Sequence, residues 1–227
     1  MPTKKKTFTY PYPRPSVTVD LVAFTVRDEG LHVLVVKRKA PPFEGMYAYP
    51  GGFLDLDEEP LESVARETHE ETGLILKGPV FPLGFYGEVD RDPRGRTISL
   101  VHSAIIRAPA DDPVAGDDAA EALWMPLDNL LGQEMAFDHS AILEDALRWL
   151  TRYLAVPATV SAFLPEVFTE ADVQSVLKRC GQEDTDAGDW CAYAQERGLC
   201  ERMPGRKKQY RSLLMDATEL RRGEFKA

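Results

Sequence analysis

The chain has 227 residues, 44% of them hydrophobic and 28% charged, and its 27 Lys and Arg against 37 Asp and Glu give a net charge of −10. This is ordinary globular composition, so collagen-like, low-complexity and globally disordered readings are excluded, and the length allows one or two domains. The acidic balance disfavours nucleic-acid binding by the surface as a whole, and no apolar run approaches the ~20 residues that a membrane span needs.

In chain order, Lys4-Lys5-Lys6 is followed by a polar, proline-rich stretch where a secretory signal would carry an apolar core. Residues 17–26 and 31–36 are β-rich and joined by a short loop containing Gly30, which reads as a hairpin. A proline- and glycine-rich segment, 41–52, precedes a helix over 60–72 that stops at Gly73, a good C-cap residue. Strand-like segments recur at 80–89, 97–106 and around 123–125. A second helix, 139–154, carries apolar Ile142, Leu143, Ala146, Leu147, Leu150 and Leu154. Residues 157–165 read as a boundary. Beyond it come a helix over 170–178 with Thr169 as N-cap, a helix over 190–197 stopped by Gly198, and a hairpin of 199–202 and 209–213 around Pro204-Gly205. Helix, helix and a two-stranded wing make a winged-helix pattern. Cys180, Cys191 and Cys200 are odd in number and lack metal-type spacing, which points to reduced thiols in a cytoplasmic protein.

The helix over 60–72 carries the chemistry. Pro60 suits the first helical position. Leu61, Val64, Ala65 and Thr68 form the stripe expected to face the core. Glu67, Glu70 and Glu71 stand at i, i+3 and i+4, so their side chains are neighbours. They repel one another and lie near the helix C-terminus, where the macrodipole disfavours anions. A cation among them would offset both costs, and clustered carboxylates suit hard ions such as Mg²⁺ or Mn²⁺, which bridge to substrate phosphates. The competing interpretation is a solvated acidic face.

The wider spacing decides between them. Gly52, Glu58, Arg66, Glu67, Glu70, Glu71, Gly73 and Leu74 reproduce the pattern G-x5-E-x7-R-E-U-x-E-E-x-G-U, the Nudix box. Seven fixed residues at roughly 5–8% usage each make a chance match rarer than about one in a million. Thr68 departs from the pattern at its first aliphatic position, which places a hydroxyl on the core stripe.

The chain therefore resembles the Nudix hydrolases, which implies an α/β fold: an α/β/α sandwich with a mixed sheet, followed here by a small winged-helix-like α+β domain. The domains expected are 1–156 and 157–227. By this resemblance Glu67, Glu70 and Glu71 hold Mg²⁺ or Mn²⁺, with the Gly52 carbonyl as a further ligand. Glu67, Glu70 and Arg66 belong to the catalytic set. Glu58 and Arg66 fix the loop against the helix, and Gly73 closes it. The reaction implied is attack of water on a pyrophosphate linked to a further group, with metal acidifying the water and a carboxylate taking the proton. Glu70 within the box and Glu121 outside it are the candidates for that carboxylate.

Outside the box, Arg91, Arg94 and Arg96 offer guanidinium groups in one turn, and such forks match phosphate geometry. Arg38, Arg94, Arg96 and the ring of Phe53 are the substrate-binding candidates, while Tyr10 and Tyr12 are further aromatics for stacking on a base. The stretches 12–20, 92–96 and 136–139 are similar to those of a bacterial Nudix group resembling ADP-ribose pyrophosphatases, which implies ADP-ribose or a related nucleoside diphosphate sugar as substrate. His139 reads as structural. That group also implies a homodimer.

A Nudix domain followed by a winged helix is similar to the Nudix-related regulators of NAD metabolism, in which the second domain binds DNA. Those regulators commonly have a degraded box, whereas the acids here are intact. The helix in the recognition position opens with Asp186 and Asp189, which repel phosphates, and the basic residues Arg206, Lys207 and Lys208 lie on the wing instead. Hydrolase is thus the leading reading, and an ADP-ribose-sensing DNA-binding regulator the alternative.

Overall fold

The computed structural model describes residues 9–27, 30–107, 110–116, 119–154, 157–206 and 208–213. The chain opens with a long hairpin, β1 (Ser16–Arg27) and β2 (Gly30–Arg38), followed by two short strands, β3 (Tyr47–Ala48) and β4 (Gly51–Phe53), and the box helix α1 (Pro60–Thr72). Then come β5 (Val80–Tyr86), β6 (Thr97–Ile105), β7 (Ala119–Pro126), the single turn α2 (Leu127–Leu131) and α3 (His139–Leu154). The C-terminal part contains α4 (Pro157–Phe163), β8 (Val167–Thr169), α5 (Glu170–Arg179), α6 (Ala187–Glu196), β9 (Cys200–Arg202) and β10 (Gln209–Ser212).

The first seven strands form one mixed sheet. Its centre is the parallel pair β1 and β6, and the other pairings are antiparallel. Both faces of the centre are covered, which explains why β1 reads as a nearly continuous apolar run. Val19, Leu21 and Ala23 pack with Val64 of α1 and Trp124. On the other face Val22, Phe24 and Val26 pack with Ile142, Leu143, Ala146 and Leu150 of α3. The result is the expected α/β/α sandwich.

β1 changes partner on one side. Phe24–Arg27 pair with β2, while Thr18, Asp20 and the residue between them pair with β4. The hairpin therefore parts at its open end, and the Gly51-Gly52 segment is inserted against the start of β1.

On α1 the buried face consists of Ser63, Val64, Thr68 and Thr72, while Leu61 remains 40% exposed. The core stripe is thus turned towards Ser63 relative to the expected one. Gly73 ends the helix at φ 68°, the left-handed C-cap that glycine adopts without strain. Its N–H donates to the His69 carbonyl at 2.8 Å, and the N–H groups of Val114 and Gly116 reach the Thr72 and Glu71 carbonyls at 2.8 and 3.0 Å.

Residues 157–165, which read as a boundary, mostly form α4. Proline at the first helical position starts a helix as readily as it breaks one. Val160 and Phe163 of α4 are fully buried, and this short helix contacts α3 and β6 on one side and α5 and α6 on the other. Beyond it, β8 adds an edge to the expected wing, giving a three-stranded antiparallel sheet in the order β8-β10-β9. Thr169 caps α5 as expected: its Oγ1 accepts the Asp172 N–H, and the Asp172 carboxylate accepts the Thr169 N–H at 2.7 Å.

Candidate active site

The box loop is locked from below by Glu58 and Arg66. Arg66 Nε and Nη2 donate to the two Glu58 oxygens at 2.9 and 2.6 Å, and Glu58 Oε1 also accepts the Asp55 N–H at 2.9 Å. The Arg66 fork holds the Glu58 carboxyl down at about 2, against an ordinary 4.5. Arg66 reaches further: Nη2 donates to the Phe53 carbonyl at 3.3 Å, and Nη1 to Glu67 at 2.8 Å and to Glu70 at 3.1 Å. One guanidinium thus joins the loop, the glycine strand and two of the three box glutamates.

The three glutamates occupy different environments. Glu70 is 57% exposed and meets Arg66 at the rim. Glu67 is largely buried, and burial raises its carboxyl. Its carboxylate lies so close to Gly52 that a Cβ there would sit 2.2 Å from Oε1. Glu71 is the most deeply placed. Burial pushes its carboxyl up to about 8, although it accepts the Gly51 N–H at 3.1 Å.

These side chains face a cavity of about 800 Å³, a volume suited to a nucleotide-sized ligand. Glu67, Glu71, Gly52, Phe53, Arg66, Arg38 and Arg94 all line it. Arg94 is held by Asp92, with Nη2 at 2.8 Å from Oδ2, and its guanidinium carbon lies 5.2 Å from the Phe53 ring and 5.7 Å from the Phe137 ring. Arg38 Nε donates to the Pro42 carbonyl at 2.7 Å, and its head lies 5.0 Å from the Phe137 ring. Cationic and aromatic groups therefore share the cavity with the acids.

Several expected residues lie elsewhere. Glu70 and Glu121 are not among the lining residues, and Glu121 is exposed on β7 opposite Lys37. Arg96 is also outside, with Nη1 donating to the Gly87 and Glu88 carbonyls at 2.6 and 3.1 Å. Tyr12 is 78% exposed, and the Tyr10 ring lies under Arg14 at 3.8 Å.

The structure adds residues that sequence reasoning missed, Asp20 and Tyr49, and it also brings Arg91 and His139 to the cavity. Arg91 forms a fork with Asp138 at 2.9 and 2.6 Å. His139 Nδ1 accepts the Tyr49 N–H at 3.0 Å, the two rings stack at 4.9 Å, and burial lowers the imidazole to about 3. This agrees with a structural His139 that is neutral at ordinary pH. Burial raises Asp20 to about 7. The available signal was an aspartate inside the apolar run of β1, on the face shared with Val22 and Phe24.

On the wing, Lys208 Nζ donates to Glu170 at 2.6 Å and Arg206 Nη1 to Gln209 at 3.1 Å, while Lys207 lies outside the described residues. Asp186 caps α6, accepting the N–H groups of Gly188 and Asp189 at 2.8 and 3.0 Å. The acids of that first turn thus have a helix-capping reason to be there.

Among the described residues, no helix is long and apolar enough to cross a membrane. A NUDIX domain model matches residues 16–150. An ADP-ribose pyrophosphatase of Methanocaldococcus jannaschii is 44% identical over 138 residues, which are 61% of this chain and 76% of that protein. The ADPR responsive transcriptional repressor NtrR of Acinetobacter baylyi is 31% identical over 174 residues, 74% of this chain and 67% of that one. The crystal structure of Shewanella oneidensis NrtR complexed with a 27mer DNA superposes with a TM-score of 0.69 at 27% identity, covering 87% of this chain and 93% of the other. With the box helix, the glycine strand and the domain match all in one sandwich, the chain belongs to the NUDIX family and is a Nudix hydrolase.

Proposed function

We propose that this protein hydrolyses ADP-ribose or a related nucleoside diphosphate sugar in a Mg²⁺- or Mn²⁺-dependent reaction. The observation that carries this reading is the cavity itself, which is lined by Glu67 and Glu71 together with Arg38, Arg94 and Phe53. The 44% identity to an ADP-ribose pyrophosphatase supports the substrate class.

The acids fit a divalent ion. Gly52 leaves open the space that a Cβ would fill against Glu67. Glu67 and Glu71 are hard oxygen donors raised by desolvation, the state a cation relieves. Among the described residues no three His, Cys, Asp or Glu side chains are already gathered into a cage, and Arg66 holds Glu67 and Glu70 by charge. Glu67, Glu70, Glu71 and the Gly52 carbonyl are the ligands proposed, with Glu70 turning in from the rim. When bound, the ion neutralises diphosphate charge and acidifies the attacking water.

The chain's own residues do the rest. Glu58 and Arg66 keep the loop and glycine strand in register with α1. Arg94, pinned by Asp92, presents a flat cation between two rings, where a base or phosphate is held by stacking and charge. Arg38 adds positive charge to the same cavity. Glu70, at the solvent rim, is the proposed proton acceptor within the box, and Glu121 the candidate from outside it. The test is turnover of ADP-ribose and a panel of nucleotide sugars with Mg²⁺, for the natural protein and for Glu71→Gln and Glu70→Gln. Loss of at least about 100-fold in kcat on Glu71→Gln is expected; unaltered turnover would refute the site, and no turnover by the natural protein would refute the enzyme reading for these substrates.

One observation favours a second reading: the likeness to a DNA-bound NrtR runs through the C-terminal part. In that reading residues 1–156 sense ADP-ribose and the winged-helix unit, 157–227, binds DNA. The Lys208–Glu170 pair and the acidic start of α6 weigh against it. Salt-dependent binding to operator-like duplexes that ADP-ribose reverses would establish it.

A further inference from the structure

The box acids are joined by a carboxylate from outside the box. Asp20 comes from the start of β1, and its side chain is 11% exposed where it lines the cavity. It packs on the same two-glycine segment as the box glutamates. A Cβ on Gly51 would lie 2.2 Å from the Val19 carbonyl oxygen and 2.6 Å from Asp20 Oδ1, while the Gly51 N–H donates to Glu71 and Gly52 faces the Glu67 carboxylate. Three carboxylates from two separate elements thus converge on one pair of glycines.

The two Asp20 oxygens are treated differently. Oδ2 accepts the Ser99 hydroxyl, which sets the orientation of the carboxylate. Oδ1 has no hydrogen-bond partner among the described residues. His139 Nε2 stands 3.7 Å from it, beyond hydrogen-bond reach. Arg91 stands 3.9 Å from Oδ2 and gives its fork to Asp138. The Asp20 side chain is mostly withdrawn from water, and a desolvated carboxylate on the cavity wall is stabilised by a nearby cation. The other acids on the cavity wall differ: Asp92 is engaged by Arg94, and Asp55 is exposed.

We propose that Asp20 is a further member of the cation-holding set, presenting Oδ1 to the divalent ion or to a water in its shell. Ser99 is then its positioning residue. The proposal rests on the metal-dependent reading above and extends the site from the box helix to β1. It accounts for an acid on a strand face that otherwise carries core residues.

The experiment is Mn²⁺ binding to the full chain, followed by electron paramagnetic resonance of the free ion, with the metal-free Tm measured in parallel. Asp20→Asn is expected to weaken Mn²⁺ binding by about ten-fold or more, and Ser99→Ala, which keeps the carboxylate but frees it, by several-fold. Mn²⁺ affinities within about two-fold of the natural protein would overturn the proposal, whatever happens to the Tm. Should Asp20→Asn not fold, Ser99→Ala decides alone by the same criterion. If the natural protein itself binds no Mn²⁺, the metal-dependent reading fails first, which distinguishes its failure from that of Asp20.

Discussion

Two threonines on α1 should respond in opposite ways to the same substitution. Thr68 and Thr72 are both fully buried, one helical turn apart. Thr68 Oγ1 has no hydrogen-bond partner among the described residues. Thr72 Oγ1 donates to the Thr68 carbonyl at 2.5 Å and accepts the Leu74 N–H at 3.3 Å. Valine matches threonine in shape and has nearly the same helix propensity, so each substitution changes little but the hydroxyl. A buried hydroxyl without a partner costs about 1–3 kcal/mol on mutational scales. Thr68→Val should therefore stabilise by at least about 1 kcal/mol, a rise of about 2–4 °C in Tm for each kcal/mol in a chain of this size. Thr72→Val loses two hydrogen bonds at about 0.5–1.5 kcal/mol each and should destabilise by about 1–3 kcal/mol. Urea unfolding measures both, provided the slope m is unchanged, so that shifts in midpoint report stability. Destabilisation by Thr68→Val, or shifts of the same sign from both variants, would refute the reasoning.

The Glu58–Arg66 fork makes an acid-range prediction. With Glu58 held at about 2 against 4.5, its contribution is complete above pH 4.5 and is lost as pH falls through about 2. The Tm gap between the natural protein and Glu58→Gln should be constant near neutrality and close over that window. Glycine substitutions should separate function from folding. Gly52→Ala meets only the end of the Glu67 side chain, at 2.2 Å, so it should leave a folded protein with Mn²⁺ affinity lowered about ten-fold or more. Gly116→Ala meets the Glu70 backbone oxygen at 1.8 Å and should lower the Tm markedly, as thermal melting of the two variants side by side would show.

What could be read from the chain follows from how local the determinant is. The box helix, its proline start and its Gly73 stop are set by neighbours in sequence, and they appear where expected. So does the Thr169 cap. The apolar run of β1 predicts a strand, but not the change of partner between β2 and β4 that brings Gly51 beside Asp20. That pairing joins residues 31 positions apart, and the strand β4 is only three residues long. The Arg91–Asp138 fork and the Tyr49–His139 contact are longer-range still. Arg96 illustrates the reverse problem. Its residue type suits phosphate, yet the loop turns it onto two carbonyls, and no spacing rule distinguishes it from Arg94. That the segment 157–165 mostly forms a helix was not legible, because proline marks both breaks and helix starts, and only burial of Val160 and Phe163 distinguishes them.

The burial of Glu71 links metal to protons. Desolvation holds its carboxyl up at about 8, against 4.5 in an unfolded chain. The protonated form of Glu71 is favoured in the fold, so its burial costs the metal-free protein nothing below about pH 4.5 and destabilises it increasingly as pH rises from there to about 8. A divalent ion needs the carboxylate and must displace that proton. Near neutrality, then, Mn²⁺ binding should release a proton, and apparent affinity should climb with pH until about 8 and level off. Glu71→Gln should abolish the release and flatten the metal-free Tm profile across the same window. Titration calorimetry in buffers of differing ionisation enthalpy counts the protons. Affinity that stays level between about pH 6 and 8, with no proton released, would mean that Glu71 is already ionised or takes no part in holding the ion, and the desolvation argument for this corner of the site would fail.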